Sequence, residues 1–319
     1  MTESLTPRKI KSLVNHIYRL PTLPTTVAQL IDLIDKPGTS ARQLGQMISG
    51  DQVLTAQVLK LANSAYYGFP RQIRTIPLAI VILGFETLKN MLLSVSIIDR
   101  FSHFKEGLRF DFSLFWQHTL GTAVASRLLA RDVKLPLAGE AFVAGLIHDL
   151  GKLILSQYFP EEFYRIYRLS FQSREPMYYM EKKGLKGVTH ADVGAWLAER
   201  WNLPGNLIQG VRYHHEPGAA PRKAELAAVV HFSDFLIRRR RFGFSGDLSR
   251  PQLKREALEI LNFPASLLSS SEALREYETY FLRRLEREYS LFGTIDLPNA
   301  RQSFFQLGDP PARVKAARM

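Results

Sequence analysis

The stretch AFVAGLIHDLGKLIL, residues 141–155, is almost wholly apolar, yet it carries three ionisable side chains at its centre. These are His148, Asp149 and Lys152. Apolar residues flank them on both sides, as in a helix that is buried within a protein core. Because an ionised group without a partner is costly to bury, the stretch predicts a buried helix whose polar side chains have partners elsewhere in the chain.

The composition narrows the class of protein. The chain has 319 residues, of which 46% are hydrophobic and 11% aromatic, so it can bury a sizeable core and is not a disordered protein. It contains no cysteine, which excludes disulfides, thiolate metal sites and cysteine nucleophiles. The formal net charge of +12 favours anionic partners without identifying them. No apolar run is long enough to suggest a signal peptide or a membrane span, so we expect a cytoplasmic protein without a membrane partner.

Helical periodicity dominates on both sides of the opening stretch. One amphipathic helix is predicted to bury Val27, Leu30, Ile31 and Ile34. Ser40 is placed to cap the helix that follows. A further helix is predicted to bury Val53, Ala56, Leu59 and Ala62. Since no period-two alternation competes with these patterns, we predict an all-α fold.

Three regions are predicted along the chain. Residues 1–105 form an N-terminal helical lobe, residues 106–240 form a second helical lobe, and residues 241–319 form a C-terminal helical extension with a basic tail. The boundary near residue 105 lacks the Pro, Gly and Ser content of a free linker. The C-terminal helix carries an apolar stripe at Leu274, Tyr277, Phe281, Leu285, Tyr289 and Phe292.

Histidine and aspartate recur inside apolar helices of the second lobe. Imidazole suits zinc, iron, nickel and copper, and carboxylate also suits manganese. Burying many such groups without partners would cost a few kcal/mol each. We therefore predict a site for iron, manganese, nickel or zinc, holding one ion or two ions bridged by an aspartate. The predicted ligands are His118, His148, Asp149, His190, His214, His215 and Asp234.

Lys152 follows His148 by four residues and Asp149 by three, so on a continuous helix it shares their side. We predict a catalytic role in which Lys152 contacts a phosphate oxygen of a nucleotide or phosphodiester ligand. Two bridged ions can activate water for in-line attack on such a ligand. The alternatives are a lysine that reaches solvent along an apolar surface and core histidines that are merely hydrogen-bonded. His16, His103 and His231 follow no pattern and are interpreted as structural.

At these residues the chain resembles the HD superfamily of metal-dependent phosphohydrolases. The order of its HD-GYP branch is present in His118, HDLGK at 148–152, His190, HHE at 214–216 and Asp234. In that branch these positions bind two or three metal ions, and the enzymes hydrolyse cyclic di-GMP. The Gly-Tyr-Pro segment that should follow HHE is replaced by PGAAPRKAELAAVV, which argues against cyclic dinucleotide hydrolysis.

Over residues 16–237 the chain resembles the HDOD family more fully. The motifs are LPTLPTTVAQLIDLI, ISGDQVLTAQVLKLANSAYYG, IRTIPLAIVILGFETLKNMLL, AFVAGLIHDLGKLIL, HADVGAWLAERWNLP and YHHEP. This family is the HD-related output domain of bacterial signalling proteins. The resemblance implies an all-α fold with an HD-like second lobe, and a regulatory role with a signalling protein as partner.

Three functions remain open from the sequence. The first is a bacterial signal-transduction protein that retains an HD-type metal site. The second is a metal-dependent phosphohydrolase that acts on a phosphodiester or nucleotide. The third is a module that binds nucleic acid or an acidic protein through Arg238–Arg241, with Phe242 and Phe244 beside the arginines.

Overall fold

The structure is a computed structural model and describes residue 12 and residues 22–63, 72–102 and 111–292. All regular elements in these residues are helical, which confirms the predicted all-α fold. His16, His103, the predicted boundary near residue 105 and the basic tail lie outside the described residues. The division into residues 1–105, 106–240 and 241–319 therefore stays a prediction.

Five helices within residues 22–63 and 72–102 form the N-terminal set. They are α1 (Thr25–Ile34), α2 (Ala41–Ser49), α3 (Gln52–Ala62), α4 (Ile76–Leu83) and α5 (Phe85–Ser102). The four apolar residues predicted for α1 are all buried. Ser40 caps α2 in a capping box with Gln43, as predicted.

The buried face predicted for α3 is wrong at Val53, which is 67% exposed, and at Ala56, and it is confirmed at Ala62. The larger residues Leu54, Val58 and Leu61 are buried instead. The observed face repeats at intervals of four and three residues, so it has the same helical periodicity as the predicted one. The larger side chains lie on the observed face, and burying them removes more apolar surface from water.

Eight helices within residues 111–239 form the second set, which contains the stretch 141–155. They are α6 (Phe112–Asp132), α7 (Ala138–Ile147), α8 (Leu150–Tyr158), α9 (Pro160–Ser173), α10 (Met177–Gly184), α11 (His190–Arg200), α12 (Gly205–Arg212) and α13 (Ala224–Arg239). A 3₁₀ turn at Pro217–Ala219 precedes α13. Helix α6 packs against α7 and α13 and is almost entirely buried. Helix α5 packs against both α1 and α7 and so connects the two sets.

The C-terminal described helices are α14 (Arg255–Ile260), α15 (Ala265–Ser269) and α16 (Ser271–Phe292). Helix α16 packs against α6. Its predicted stripe is confirmed where the side chains are described, because Leu274, Tyr277, Phe281 and Leu285 all pack on the core. The side chains of Tyr289 and Phe292 lie outside the described residues.

The opening stretch is not one continuous helix. Helix α7 ends at Ile147 and α8 begins at Leu150, with His148 and Asp149 at the break. Adjacent residues inside a regular helix point about 100° apart. At the break, both residues place ligand atoms in the same group.

Two glycines of the stretch permit close helix packing. A Cβ at Gly151 would collide with the backbone carbonyl of His190 on α11, and a Cβ at Gly145 would lie 2.8 Å from the backbone of α6. Neither position has room for a larger residue. Because of Gly151, α8 packs directly on the first turn of α11 and brings Asp149 near His190.

No single helix in the described ranges combines the length and hydropathy needed to cross a membrane. The pair Ile76–Leu83 and Phe85–Phe101 passes such a test only when taken together, and the two helices are bent by 118° at their junction.

Candidate metal centre

The structure brings the predicted ligands together from three helices and two turns. Helix α6 contributes His118, the break between α7 and α8 contributes His148 and Asp149, and α11 begins with His190. Two overlapping groups have ligand atoms within 4.8 Å of one another. One group is His118, His148 and Asp149; the other is Asp149, His190, His214 and His215.

Asp149 belongs to both groups and presents a different oxygen to each. Its Oδ2 lies 3.7 Å from His118 Nε2 and 3.4 Å from His148 Nε2. Its Oδ1 lies 3.2 Å from His190 Nε2 and 3.8 Å from His214 Nε2. With metal–ligand bonds of about 2.1 Å, neighbouring ligand atoms lie roughly 3 to 4 Å apart. The spacing therefore suits a carboxylate that bridges two ions.

The two outer ligands complete the groups. Asp234, near the middle of α13, places Oδ1 at 3.1 Å from His118 Nε2 and 3.9 Å from His148 Nε2. His215 places Nε2 at 3.0 Å from His190 Nε2. All seven predicted ligands are thus in one cluster.

The protein fixes the tautomers of two histidines. His148 Nδ1 donates to the Gly145 carbonyl at 2.8 Å, and His214 Nδ1 donates to the Val211 carbonyl at 2.7 Å. A carbonyl can only accept, so the proton lies on Nδ1 and Nε2 keeps a lone pair. Both Nε2 atoms therefore face the cluster as potential metal ligands.

Several of the converging atoms are buried and have no hydrogen-bond partner. They are His118 Nε2, His148 Nε2, His214 Nε2, Asp149 Oδ1 and Asp234 Oδ1. Buried polar atoms are almost always hydrogen-bonded in native proteins, and each exception needs an explanation such as an ion. Nitrogen and carboxylate oxygen are the donor set of borderline transition metals. The residues present therefore fit a metal ion.

Burial keeps several imidazoles in the neutral form that metals require. Desolvation lowers the pKa of His118, and it lowers the pKa values of His214 and His215 well below the ordinary histidine value. Neighbouring imidazoles add to the effect at His214 and His215. Metal ligation uses a deprotonated nitrogen, so these rings are prepared to bind a cation.

His190 differs from the other rings because of Glu181, which the sequence analysis missed. Glu181 Oε2 accepts from His190 Nδ1 at 2.6 Å and from its backbone N–H at 2.8 Å. Burial alone would lower the pKa of His190, but the Glu181 and Asp149 carboxylates together outweigh it and raise the pKa to about 9. A carboxylate behind a ligating histidine fixes its orientation and increases its basicity. Glu181 was missed because a glutamate in MYYMEKKG has no unusual sequence context.

Lys152 lies at the centre but does not point into open space. Its Nζ donates to Asp149 Oδ2 at 2.7 Å and to the Ser245 carbonyl at 3.0 Å. Burial would raise the pKa of Asp149, but Lys152 and the nearby imidazoles outweigh it and hold the pKa well below its usual range. Lys152 is 3% exposed, so the alternative of a lysine that reaches solvent does not describe it.

The chain is similar to a known family of proteins. The HDOD domain family matches residues 20–217, more than half of the chain. The chain belongs to the HDOD family. All the described helices from α1 to α12 fall within the matched residues, while α13 and the segment after it follow them.

Two solved structures and a curated relative are similar to this chain. An HDOD domain protein of unknown function from Geobacter sulfurreducens is 27% identical, with a TM-score of 0.70 over 90% of this chain and 97% of that one. A protein from Shewanella amazonensis SB2B, 24% identical, shares the fold with a TM-score of 0.65 over 89% and 97% of the two chains. An uncharacterized protein of Treponema pallidum (strain Nichols) is 26% identical over 238 residues, 74% of this chain. The chain spans 45% of that relative's length.

A second ring of contacts surrounds the candidate ligands. His231, interpreted from sequence as structural, donates from Nδ1 to the His214 carbonyl at 2.7 Å and accepts from the Lys254 N–H at 2.9 Å. The Tyr178 ring lies 4.4 Å from the His215 ring, centroid to centroid. These neighbours hold the adjacent pair at 214 and 215 in place.

Arg238, Arg239 and Arg240 of the arginine run form ion pairs within the chain. Arg238 lies 3.1 Å from Asp247 Oδ2 and 3.8 Å from Asp234 Oδ2. Arg239 pairs with Glu278 at 3.2 Å and Arg240 with Glu286 at 3.6 Å, both on α16. These carboxylates compete with any external anion for the arginines. Binding of nucleic acid or an acidic partner stays a prediction.

Proposed function

We propose that this HDOD protein is a bacterial regulatory protein that holds one or two transition-metal ions in its HD-type centre and signals through an unidentified protein partner. The observation that supports it is the convergence of five buried ligand atoms without hydrogen bonds around Asp149. Iron, manganese, nickel and zinc suit this donor set.

The residues divide into two ligand groups. His118, His148 and Asp234 would hold one ion, and His190, His214 and His215 would hold the second, with Asp149 shared. A bound ion would supply Lewis-acid chemistry and compensation for the buried carboxylates. Glu181 orients one ligand from behind, and Lys152 balances Asp149.

The burial of the centre is the reason to favour regulation over turnover. Six of the seven ligands are less than a tenth exposed, and the Lys152 ammonium already has two acceptors. A phosphodiester would need space beside these buried atoms, where two of the three N–H donors of Lys152 are already used.

The experiment is metal reconstitution of the full chain with iron, manganese, nickel and zinc, each followed by assay against bis(p-nitrophenyl) phosphate, cyclic dinucleotides and nucleotides. We expect stoichiometric metal binding without turnover. Binding that is retained by a His148→Ala variant would contradict the proposed centre.

A metal-dependent phosphohydrolase is the second candidate, favoured by the position of Lys152 beside the bridging carboxylate. In that function Asp149 and the histidines position the metal-bound reactants, and Lys152 Nζ stabilises the negative charge that develops on a phosphate oxygen. Turnover by the wild type that disappears in both His148→Ala and Lys152→Met, while Glu199→Gln retains it, would favour this candidate over the first. Glu199 lies on the outer side of α11 and pairs with Arg212.

A further inference from the structure

The segment 242–249, which follows α13 and lies beyond the HDOD match, crosses over the metal centre. We call it the strap. Ser245, Asp247 and Ser249 are polar residues of a loop, yet they are 3%, 9% and 7% exposed. A loop of this composition usually lies on the surface, so its burial requires specific contacts.

Backbone and side-chain contacts attach the strap at both ends. Near its start, the Phe244 N–H donates to the Leu114 carbonyl on α6 at 2.8 Å. Near its end, Asp247 Oδ2 accepts from the Met177 N–H on α10 at 3.2 Å and pairs with Arg238. The strap therefore connects three helices that surround the cluster.

Gly243 lets the strap pass directly over a ligand-bearing turn. Its φ is +64°, and a Cβ at this position would collide with the His118 backbone nitrogen and the Leu114 carbonyl. Any other residue would meet both the left-handed backbone strain and this collision. The close approach therefore depends on glycine at position 243.

The middle of the strap contacts Lys152 directly. The Ser245 carbonyl accepts from Lys152 Nζ at 3.0 Å, on the ammonium that also neutralises Asp149. A carbonyl oxygen in this place has the acceptor character of a phosphate oxygen. Ser245 Oγ is buried without a hydrogen bond, so the closed arrangement leaves a polar group unsatisfied and is not the best that the strap could make in water.

We propose that the strap is an autoinhibitory closure of the metal centre, in which the Ser245 carbonyl occupies the position on Lys152 that an anionic ligand would take. Its release opens the centre to ligands larger than water and frees one donor of Lys152. This inference rests on the proposed function, because it describes the regulation of the same site.

The test measures access to the cluster in the metal-free full chain. Diethyl pyrocarbonate acylates neutral imidazole, and peptide mass spectrometry reports the rate at His118, His148 and His214. We expect slow modification in the wild type and rates at least about tenfold higher in Gly243→Ala and Asp247→Ala, since reaction follows local opening of the strap. Circular dichroism melts verify that each variant is folded; Asp247→Ala carries the test if Gly243→Ala does not fold.

Gly38→Ala is the matched control. Gly38 also has a positive φ, +85°, but open space surrounds it in the loop before α2, so this variant should react at the wild-type rate. Cluster histidines of the wild type that react as rapidly as free histidine would overturn the proposal, as would folded strap variants that react at the wild-type rate. Because the readout needs neither metal nor turnover, its failure is separate from a failure of metal loading, which would reject the proposed function instead.

Discussion

The N-terminal helices and the helices around Asp149 differ in whether their buried polar side-chain atoms have hydrogen-bond partners. In the described residues 22–63 and 72–102, no buried side-chain nitrogen or oxygen lacks a hydrogen-bond partner. Lys89, the one buried charged residue there, pairs with Asp35 at 2.6 Å, and Asp35 is 51% exposed. Around Asp149, by contrast, unpaired nitrogens and oxygens converge in the core.

The contrast teaches that the polar cluster is not a general property of this chain's packing. In the rest of the described chain, unsatisfied buried atoms also occur at other positions such as Trp116, Gln209 and Tyr277, but around Asp149 five of them converge on one cluster. Unsatisfied buried polar groups cost about 1–3 kcal/mol each, so a cluster of them is a stability cost that a bound cation would offset.

The largest contrast is expected from removing one lysine in each region. Lys152→Met leaves Asp149 charged and buried, which should lower the free energy of unfolding of the metal-free protein by about 3–5 kcal/mol. Lys89→Met leaves only a half-exposed carboxylate and should cost about 0–1 kcal/mol. Urea unfolding measures both. Equal losses of unfolding free energy in the two variants would contradict the difference between the two regions. Metal loading should reduce the loss in Lys152→Met, because the cation compensates the charge of Asp149.

Substitution of Glu181, which contacts the candidate ligand His190, should lower metal affinity without removing a ligand. Glu181→Gln keeps the size of the side chain but removes the charge that supports His190, and we expect affinity to fall about tenfold to 100-fold. Glu199→Gln makes the same chemical change on the outer side of α11 and should leave affinity unchanged. Competition with a colorimetric chelator gives both values; equal affinities in the two variants would show that Glu181 does not act on the metal.

Matched helix caps separate stability from metal binding. Ser40 and Thr189 both form capping boxes, with Gln43 and Asp192 respectively. Each change to alanine should cost about 1 kcal/mol in thermal or urea unfolding. Only Thr189→Ala should also weaken metal binding, because α11 begins at His190. A fall in metal affinity in Ser40→Ala would contradict the separation of the two regions.

The pH dependence of the metal-free protein tests whether the buried rings are neutral. Burial lowers the pKa values of His118, His214 and His215, so below about pH 6.5 the unfolded chain binds more protons at these rings than the folded chain does. Stability should therefore fall from pH 6.5 to pH 5. His190, with its pKa raised to about 9, contributes stability that is complete below pH 6.5, and it does not oppose this loss. Unfolding midpoints that stay constant over the same range would be inconsistent with neutral buried rings.

Much of the fold followed from local sequence. The α1 stripe and the Ser40 cap were predicted because apolar spacing and capping chemistry depend on neighbours within one turn. The face of α3 was wrong because two faces of that helix have the same periodicity, and only packing against other helices chooses between them. The break at His148 and Asp149 was missed for a related reason: an apolar run of this kind does not show where a helix ends.

The candidate ligands could be named from sequence because histidine and aspartate are unusual inside apolar helices. The residues that support them could not. Glu181 lies in MYYMEKKG, and Ser245 lies in a polar loop, where glutamate and serine are ordinary. What makes them important is contact across the fold, with His190 and Lys152 respectively, and that contact has no signal in a single sequence.

The most direct test of the metal centre is elemental analysis of the purified full chain after reconstitution, compared with Asp149→Asn and, as a control, Asp35→Asn. The shared carboxylate predicts one or two transition-metal ions per chain in the wild type and in Asp35→Asn, and almost none in Asp149→Asn. A wild-type protein that takes up no metal, or an Asp149→Asn protein that retains the wild-type amount, would contradict the assignment of the cluster as a metal centre.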